Sequence, residues 1–152
     1  MRRISRLLKN IDRAIWNTFD AITMSKSVGE STDPIKYVII STQRSGSNLL
    51  CGMLGSHPQI ISFHELFHPA SVYYGLVHRG KFNFGTVLER DRQPYKFLAK
   101  IYNKDNGVEA VGFKIFPGHN QKIIDFLLKN PDIKKIILKR ENLLFSYTSK
   151  LT

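Results

Sequence analysis

The stretch from Lys36 to Leu54, KYVIISTQRSGSNLLCGML, limits the possible folds of this chain more than any other. Tyr37 to Ile40 form a short, apolar, β-branched run of the kind found in a parallel strand covered on both faces. Ser41 to Gly46 break that pattern. From Ser47 onward Leu49, Leu50, Met53 and Leu54 recur at helical spacing, and the Ser47 hydroxyl is expected to cap the first turn. A strand, a tight turn and a helix in succession aim the helix's unpaired N–H groups and positive dipole end at the turn, which suits phosphate or sulfate. Gly46 lets the backbone approach such an anion. Arg44 adds a planar fork of donors matched to an oxyanion. The plainer reading is an ordinary strand-to-helix turn with a surface arginine, and it leaves the R-S-G-S cluster as coincidence.

The rest of the chain repeats the alternation of strand and helix. After the stop signal Gly55-Ser56-His57-Pro58, Gln59 to Phe63 form a second short strand, which makes a strand–helix–strand unit with a right-handed crossover. Ala70 to Gly85 are aromatic and basic and read as mixed helix and loop. Thr86 to Tyr102 have a helical pattern that Pro94 either interrupts or restarts. Ala110 to Phe116, AVGFKIF, form a third strand. A helix over Gln121 to Lys129 and a fourth strand over Ile133 to Leu138 follow, with Lys139-Arg140 at the strand's carboxyl end. Asn142 to Thr152 restart a helix. Ligands in open sheets of this class collect at the carboxyl ends of the strands, which places Glu65 near the anion turn.

Composition narrows the partners. The chain has 152 residues, enough for one globular domain, and 23 Lys and Arg against 12 Asp and Glu give a net charge of +11. That balance suits anionic partners without choosing among nucleotides, sulfated glycans, lipid headgroups and nucleic acid. The lone Cys51 has no internal disulfide partner, and no Cys or His cluster has metal-ligand spacing, so no metal is expected. No apolar run approaches the ~20 residues needed to span a bilayer, and the N-terminus has no signal-peptide core, so a cytoplasmic place is expected. Met1 to Met24 carry Ile4, Leu7, Leu8, Ile11, Ile15, Phe19 and Ile22 at helical spacing beside Arg2, Arg3, Arg6, Lys9 and Arg13. This basic amphipathic helix either packs on its own domain or makes a peripheral contact with an anionic membrane surface. Residues 1–34 are thus a helix and linker, and 35–152 the α/β domain.

The turn is not the nucleotide loop G-x-x-x-x-G-K-[ST], since the first glycine is missing and Arg44 stands two residues before Gly46. TQRSGSNLL instead resembles the 5′-phosphosulfate loop of the sulfotransferase family, which uses 3′-phosphoadenosine 5′-phosphosulfate, in particular its bacterial carbohydrate-type members. The resemblance implies a three-layer, P-loop-like parallel sheet with helices on both faces. It implies that Arg44, Ser45, Gly46, Ser47 and Asn48 hold the 5′-phosphosulfate, with Arg44 also stabilising the leaving oxygen. IILKRENLLFSYTSKL is similar to the family's 3′-phosphate segment, where Arg140 and Ser149 match the binding arginine and serine and Ser146 is the fallback. Alone, a basic pair after a strand is an ordinary solvated edge.

Transfer of a sulfuryl group to a hydroxyl needs a base for the acceptor proton. The cytosolic branch of the family has a K-T-H strand with a catalytic histidine, and here Lys114-Ile115-Phe116 lacks it. Bacterial glycan-type members place a glutamate just after the second strand, as Glu65 stands in SFHELFHP. A structural ion pair is the competing role for Glu65, and His119 is a weaker candidate base. The implied partners are the sulfate-donor nucleotide and a hydroxyl acceptor, carbohydrate or another small molecule, with no specific nucleic acid.

The resemblance covers Lys36 to Thr152. Family members continue through further elements that clasp the adenosine, so the sheet is expected to be incomplete at the C-terminus. The chain then reads as a fragment, a truncated gene product or a protein completed by another chain, and by itself it is expected not to turn over. Two alternatives stand beside this. A P-loop kinase or NTPase is disfavoured by the missing Lys-Ser/Thr pair and by Lys139-Arg140 where a magnesium-holding acid is expected. A non-catalytic basic module predicts polyanion binding with a steep salt slope and no selectivity for a 3′-phosphate.

Overall fold

The structure is a computed structural model, and it describes residues 33–76, 78–102 and 108–141. The chain divides after Thr32, and all described residues belong to the second unit. The amphipathic pattern over 1–24 and the helix expected over 142–152 lie outside the described residues. Among the described residues, no helix is long and apolar enough to cross a membrane.

The domain is α/β, with a four-stranded, all-parallel sheet in the order β2-β3-β1-β4. Its elements are β1 (Ile35–Ser41), α1 (Ser47–Gly55), β2 (Ile60–Phe63), α2 (Val87–Arg92), α3 (Pro94–Tyr102), β3 (Ala110–Ile115), α4 (Gln121–Lys129) and β4 (Ile133–Leu138). β1 is an inner strand, running beside β3 from Ile35↔Ala110 to Ile40↔Ile115 and beside β4 from Lys36↔Ile133 to Ser41↔Leu138. β1 and β2 follow each other in sequence but do not pair. β3, buried along nearly its whole length, takes the inner place, while the four-residue β2 pairs with β3 alone.

The period-2 pleat sorts the side chains. Val38, Ile61, Phe63, Val111, Phe113 and Ile115 enter one apolar cluster with Phe97, Leu98 and Ile101 of α3 and Ile123 and Leu127 of α4. Each such side chain contributes about 1.5–3 kcal/mol on full burial. Tyr37, Ile39, Gly112 and Lys114 alternate with that set. Tyr37 lies against Gly112, and its hydroxyl donates to the Ile61 carbonyl at 3.2 Å.

Pro94 both ends one helix and starts the next. Thr86 caps α2 by accepting from the Glu89 N–H, while Glu89 accepts from the Thr86 N–H at 2.7 Å, a reciprocal box. Proline at the first position of α3 gives up an N–H that has no helical partner in any case. The segment 70–85 contains no helix or strand among its described residues. Tyr74, Phe82 and Phe84 instead pack their rings around Phe63, at centroid distances of 6.2, 5.0 and 5.3 Å. Ring packing of that kind anchors a loop without any periodic face.

The sharpest packing constraint is at Gly112, where an added Cβ would stand 2.5 Å from the Tyr37 ring. That ring is buried and tethered through its hydroxyl, so it has little room to yield. Gly112→Ala is expected to lower the unfolding free energy by about 1–3 kcal/mol. Urea denaturation checks this, and an unchanged midpoint would contradict the packing described.

Candidate functional site

The turn between β1 and α1 is built from unusual backbone. Arg44 has φ 62° and Gly46 has φ 91°, both in the left-handed region, and Arg44 is the one non-glycine residue with positive φ among those described. A side chain held there carries strain, which is found most often where function fixes the backbone.

Gly46, not Ser47, occupies the cap position of α1. Ser47 is already the first helical residue, its side chain is buried, and no side chain among the described residues accepts from the first-turn amides. The expected Ser47 cap is therefore absent, because a hydroxyl one position inside the helix faces inward. The contrast with α2 and α4 is informative. In those helices Thr86 and Asn120 take first-turn N–H groups with their own oxygens. The start of α1 keeps its amides and dipole end for something else. Beside it the hydroxyls of Ser41 and Ser45 are buried and find no hydrogen-bond partner among the described residues. Buried hydroxyls are rarely left so, and a bound oxyanion is one way to satisfy them.

Arg140, just past β4, crosses to this turn and donates from Nη1 to the Arg44 carbonyl at 3.0 Å. Arg44, Ser45, Gly46, Ser47, Asn48 and Arg140 thus converge at the carboxyl ends of β1 and β4. Ser149 and its fallback Ser146 lie outside the described residues.

Lys114 joins the turn to Glu65. Its side chain is 1% exposed, yet it carries an ammonium, which is tolerable only with close acceptors. Those acceptors are Asn48 Oδ1 on α1 and Glu65 Oε1, the latter at 2.9 Å. The Lys114 N–H also donates to the His64 carbonyl at 3.3 Å, extending the β2–β3 pairing toward Glu65. The sequence contained a signal for this residue, a lone charge inside the apolar strand AVGFKIF, but not its partners.

Two histidines complete the surroundings of Glu65. His119 Nε2 lies 3.7 Å from Glu65 Oε2, and the His68 and His119 rings are 5.4 Å apart. Ligand atoms of Glu65, His68 and His119 fall within 4.8 Å of one another, a grouping that sequence spacing could not reveal. The hydrogen bonds argue against a metal there. His68 Nδ1 accepts from the Ala70 N–H at 3.1 Å, and His119 Nδ1 accepts from the Phe116 N–H at 3.4 Å. Each neutral ring then carries its proton on Nε2, which makes that atom a donor instead of a ligand. The Lys114 ammonium holds the other Glu65 oxygen.

Arg90 fixes the loop that carries these groups. Its side chain is buried, and Nη1 donates to the carbonyls of Leu66, His68 and Ser71 at 3.1, 2.7 and 3.3 Å, while Nε pairs with Asp91 at 2.8 Å. Nothing in the helical pattern of VLERDR distinguishes this arginine from a solvated one.

No protein-family model, curated protein or solved structure matches the chain.

Burial holds the pKa values of His64, His78 and His119 below the ordinary 6.5; Lys114 lowers His64 further, Lys81 lowers His78 further, and Glu65 partly offsets the effect at His119. The unfolded chain takes up protons at these sites before the folded one does. Stability from this source is therefore complete above the unfolded value and is lost as pH falls from it toward the folded pKa values. The urea midpoint is expected to be flat above about pH 7 and to decline as pH falls through and below the ordinary histidine value of 6.5. His78 is buried, with Nε2 unpartnered among the described residues, so His78→Phe should make that decline shallower. An equally steep decline in the variant would contradict the assignment.

Proposed function

We propose that this protein is a sulfotransferase of the bacterial carbohydrate type, which moves a sulfuryl group from 3′-phosphoadenosine 5′-phosphosulfate to a hydroxyl of a carbohydrate or other small acceptor. The observation that carries the reading is the uncapped start of α1 beside two buried, unpartnered hydroxyls, tied through Asn48 and Lys114 to Glu65. It joins an anion cradle to a carboxylate, which are the two parts such a transfer requires.

In this reading the amides of Ser45 to Asn48 and the Arg44 guanidinium hold the 5′-phosphosulfate. Glu65 accepts the proton of the acceptor hydroxyl as its oxygen bonds to sulfur. The bond from sulfur to the bridging phosphate oxygen breaks, and adenosine 3′,5′-bisphosphate leaves with the electron pair. In this reading Arg44 and Lys114 are the cations that stabilise charge on that leaving oxygen. No step calls for a metal. His119, neutral with Nε2–H toward Glu65, serves better as a donor that orients the carboxylate than as the base. Arg140 and Ser149 are assigned to the 3′-phosphate, and the three-layer, P-loop-like arrangement belongs to the same proposal. The strand order, with β1 inside the sheet, supports that arrangement. A cytoplasmic place, with a peripheral membrane contact through residues 1–24, is the accompanying proposal for location.

Calorimetric titration of the purified protein tests the reading. Adenosine 3′,5′-bisphosphate is expected to bind without metal and more tightly than ATP with magnesium. Arg44→Ala should weaken it about 10–100-fold, the scale of a hydrogen bond to a charged group. Glu65→Gln should leave that affinity intact. Preference for ATP with magnesium would favour a nucleotide kinase, and indifference to the 3′-phosphate would favour a basic binding module.

A further inference from the structure

A cavity of about 700 Å³ opens where the start of α3 meets the start of α4, lined in part by Arg92, Tyr95, Lys96, His119, Asn120 and Lys122. His119 is shared with the site described above, since the same residue that lines this cavity places Nε2 3.7 Å from Glu65 Oε2. Its volume is comparable with that of small-molecule sites, and it is open to solvent along one side as a groove for a chain-like ligand is. We propose that this cavity is the acceptor subsite and that it takes an acidic carbohydrate, one bearing a carboxylate or a sulfate on a sugar ring. The proposal rests on the reading of Glu65 as the base and specifies the acceptor class.

The lining sets the chemistry. Tyr95 is 51% exposed, with its ring held edge-on against Phe126 at 5.5 Å, so it presents a fixed aromatic surface to the cavity. Such surfaces pack against the C–H faces of sugars, and the phenol adds a polar edge. Asn120 uses its oxygen to cap α4 through the Ile123 N–H at 3.1 Å, which keeps its amide donors for a ligand. Gln121 donates to Asp125 at 2.8 Å and keeps its oxygen as an acceptor. A donor and an acceptor of this kind match hydroxyl groups. The charges decide between a neutral and an acidic sugar. Arg92, Lys96 and Lys122 face the cavity, whereas its one acid, Asp91, is already paired with Arg90 at 2.8 Å. An anionic acceptor meets cationic side chains in this lining, an attraction that an uncharged acceptor lacks.

Titration of the purified protein with tetrasaccharides of matched length, one neutral, one containing uronate and one sulfated, provides the test at physiological salt. The acidic ligands are expected to bind about tenfold more tightly than the neutral one, the scale of two exposed ion pairs. The double variant Lys96→Gln/Lys122→Gln should remove that preference, and Tyr95→Ala should weaken all three sugars. Lys134→Gln, a change of charge on β4, should alter nothing. Equal binding of neutral and acidic sugars would overturn the proposal. So would equal loss in the Lys134 control, or equal binding of a single-stranded oligonucleotide of the same charge, because both would mean attraction to net charge alone. Adenosine 3′,5′-bisphosphate is titrated in parallel. Loss of nucleotide binding with sugar selectivity intact overturns the sulfotransferase reading and leaves the subsite standing.

Discussion

The ammonium of Lys114 is the group on which the rest of the site depends. A charge removed from water costs several kcal/mol unless close acceptors replace the solvent. Here the acceptors come from two separate places, Asn48 on α1 and Glu65 in the loop after β2, while Lys114 itself belongs to the inner strand β3. Satisfying one buried cation therefore fixes the start of α1, the sheet and the carboxylate relative to one another. Arg90 does similar work beneath the loop. Its three carbonyl partners give the segment from Leu66 to Ser71 an internal scaffold that it lacks as regular structure.

Around this centre Arg44, Lys114 and Arg140 stand at the carboxyl ends of the strands, with Glu65 paired to Lys114 and Arg140 donating to the Arg44 carbonyl. The uncapped start of α1 adds partial positive charge to the same region. His68 and His119 complete the arrangement, each accepting a main-chain N–H at Nδ1, and His119 holds Nε2 toward Glu65. The turn thus brings the main-chain N–H groups at the start of α1 to the same end of the sheet as the Arg44 and Lys114 side chains. The cavity lined by Arg92, Lys96 and Lys122 shares His119 with this site.

Much of the fold was legible because its signals are local. The apolar run through Ile40, the break at Ser41 and the helical leucines after Ser47 locate β1, the turn and α1, and α4 and β4 occupy the residues that their apolar periodicity and the Asn130-Pro131 stop assign them. The cap was misplaced by one residue, since serine ranks above glycine as a cap while the left-handed backbone at this turn demands glycine. Strand pairing was less legible. β1 and β2 are consecutive, but β3 separates them, and that order depends on which strand buries both faces most completely. Within the site, Arg44 and Glu65 stood out by motif, whereas Lys114 had only its oddity in an apolar strand. Its contact with Asn48 spans 66 positions, and the buried role of Arg90 depends on carbonyls 19 to 24 positions away. Long-range partners of that kind leave no periodic trace.

The measurement that bears most directly on this account is the backbone and lysine side-chain NMR spectrum of the labelled protein as adenosine 3′,5′-bisphosphate is added. Binding in the turn between β1 and α1 predicts the largest amide shifts at Ser45 to Asn48, together with a shift of the Lys114 side chain that reaches Asn48. Strands away from the turn should stay unmoved. Shifts spread over the basic surface, or none in that turn at a saturating concentration, would contradict the claim that this buried cation organises an anion site.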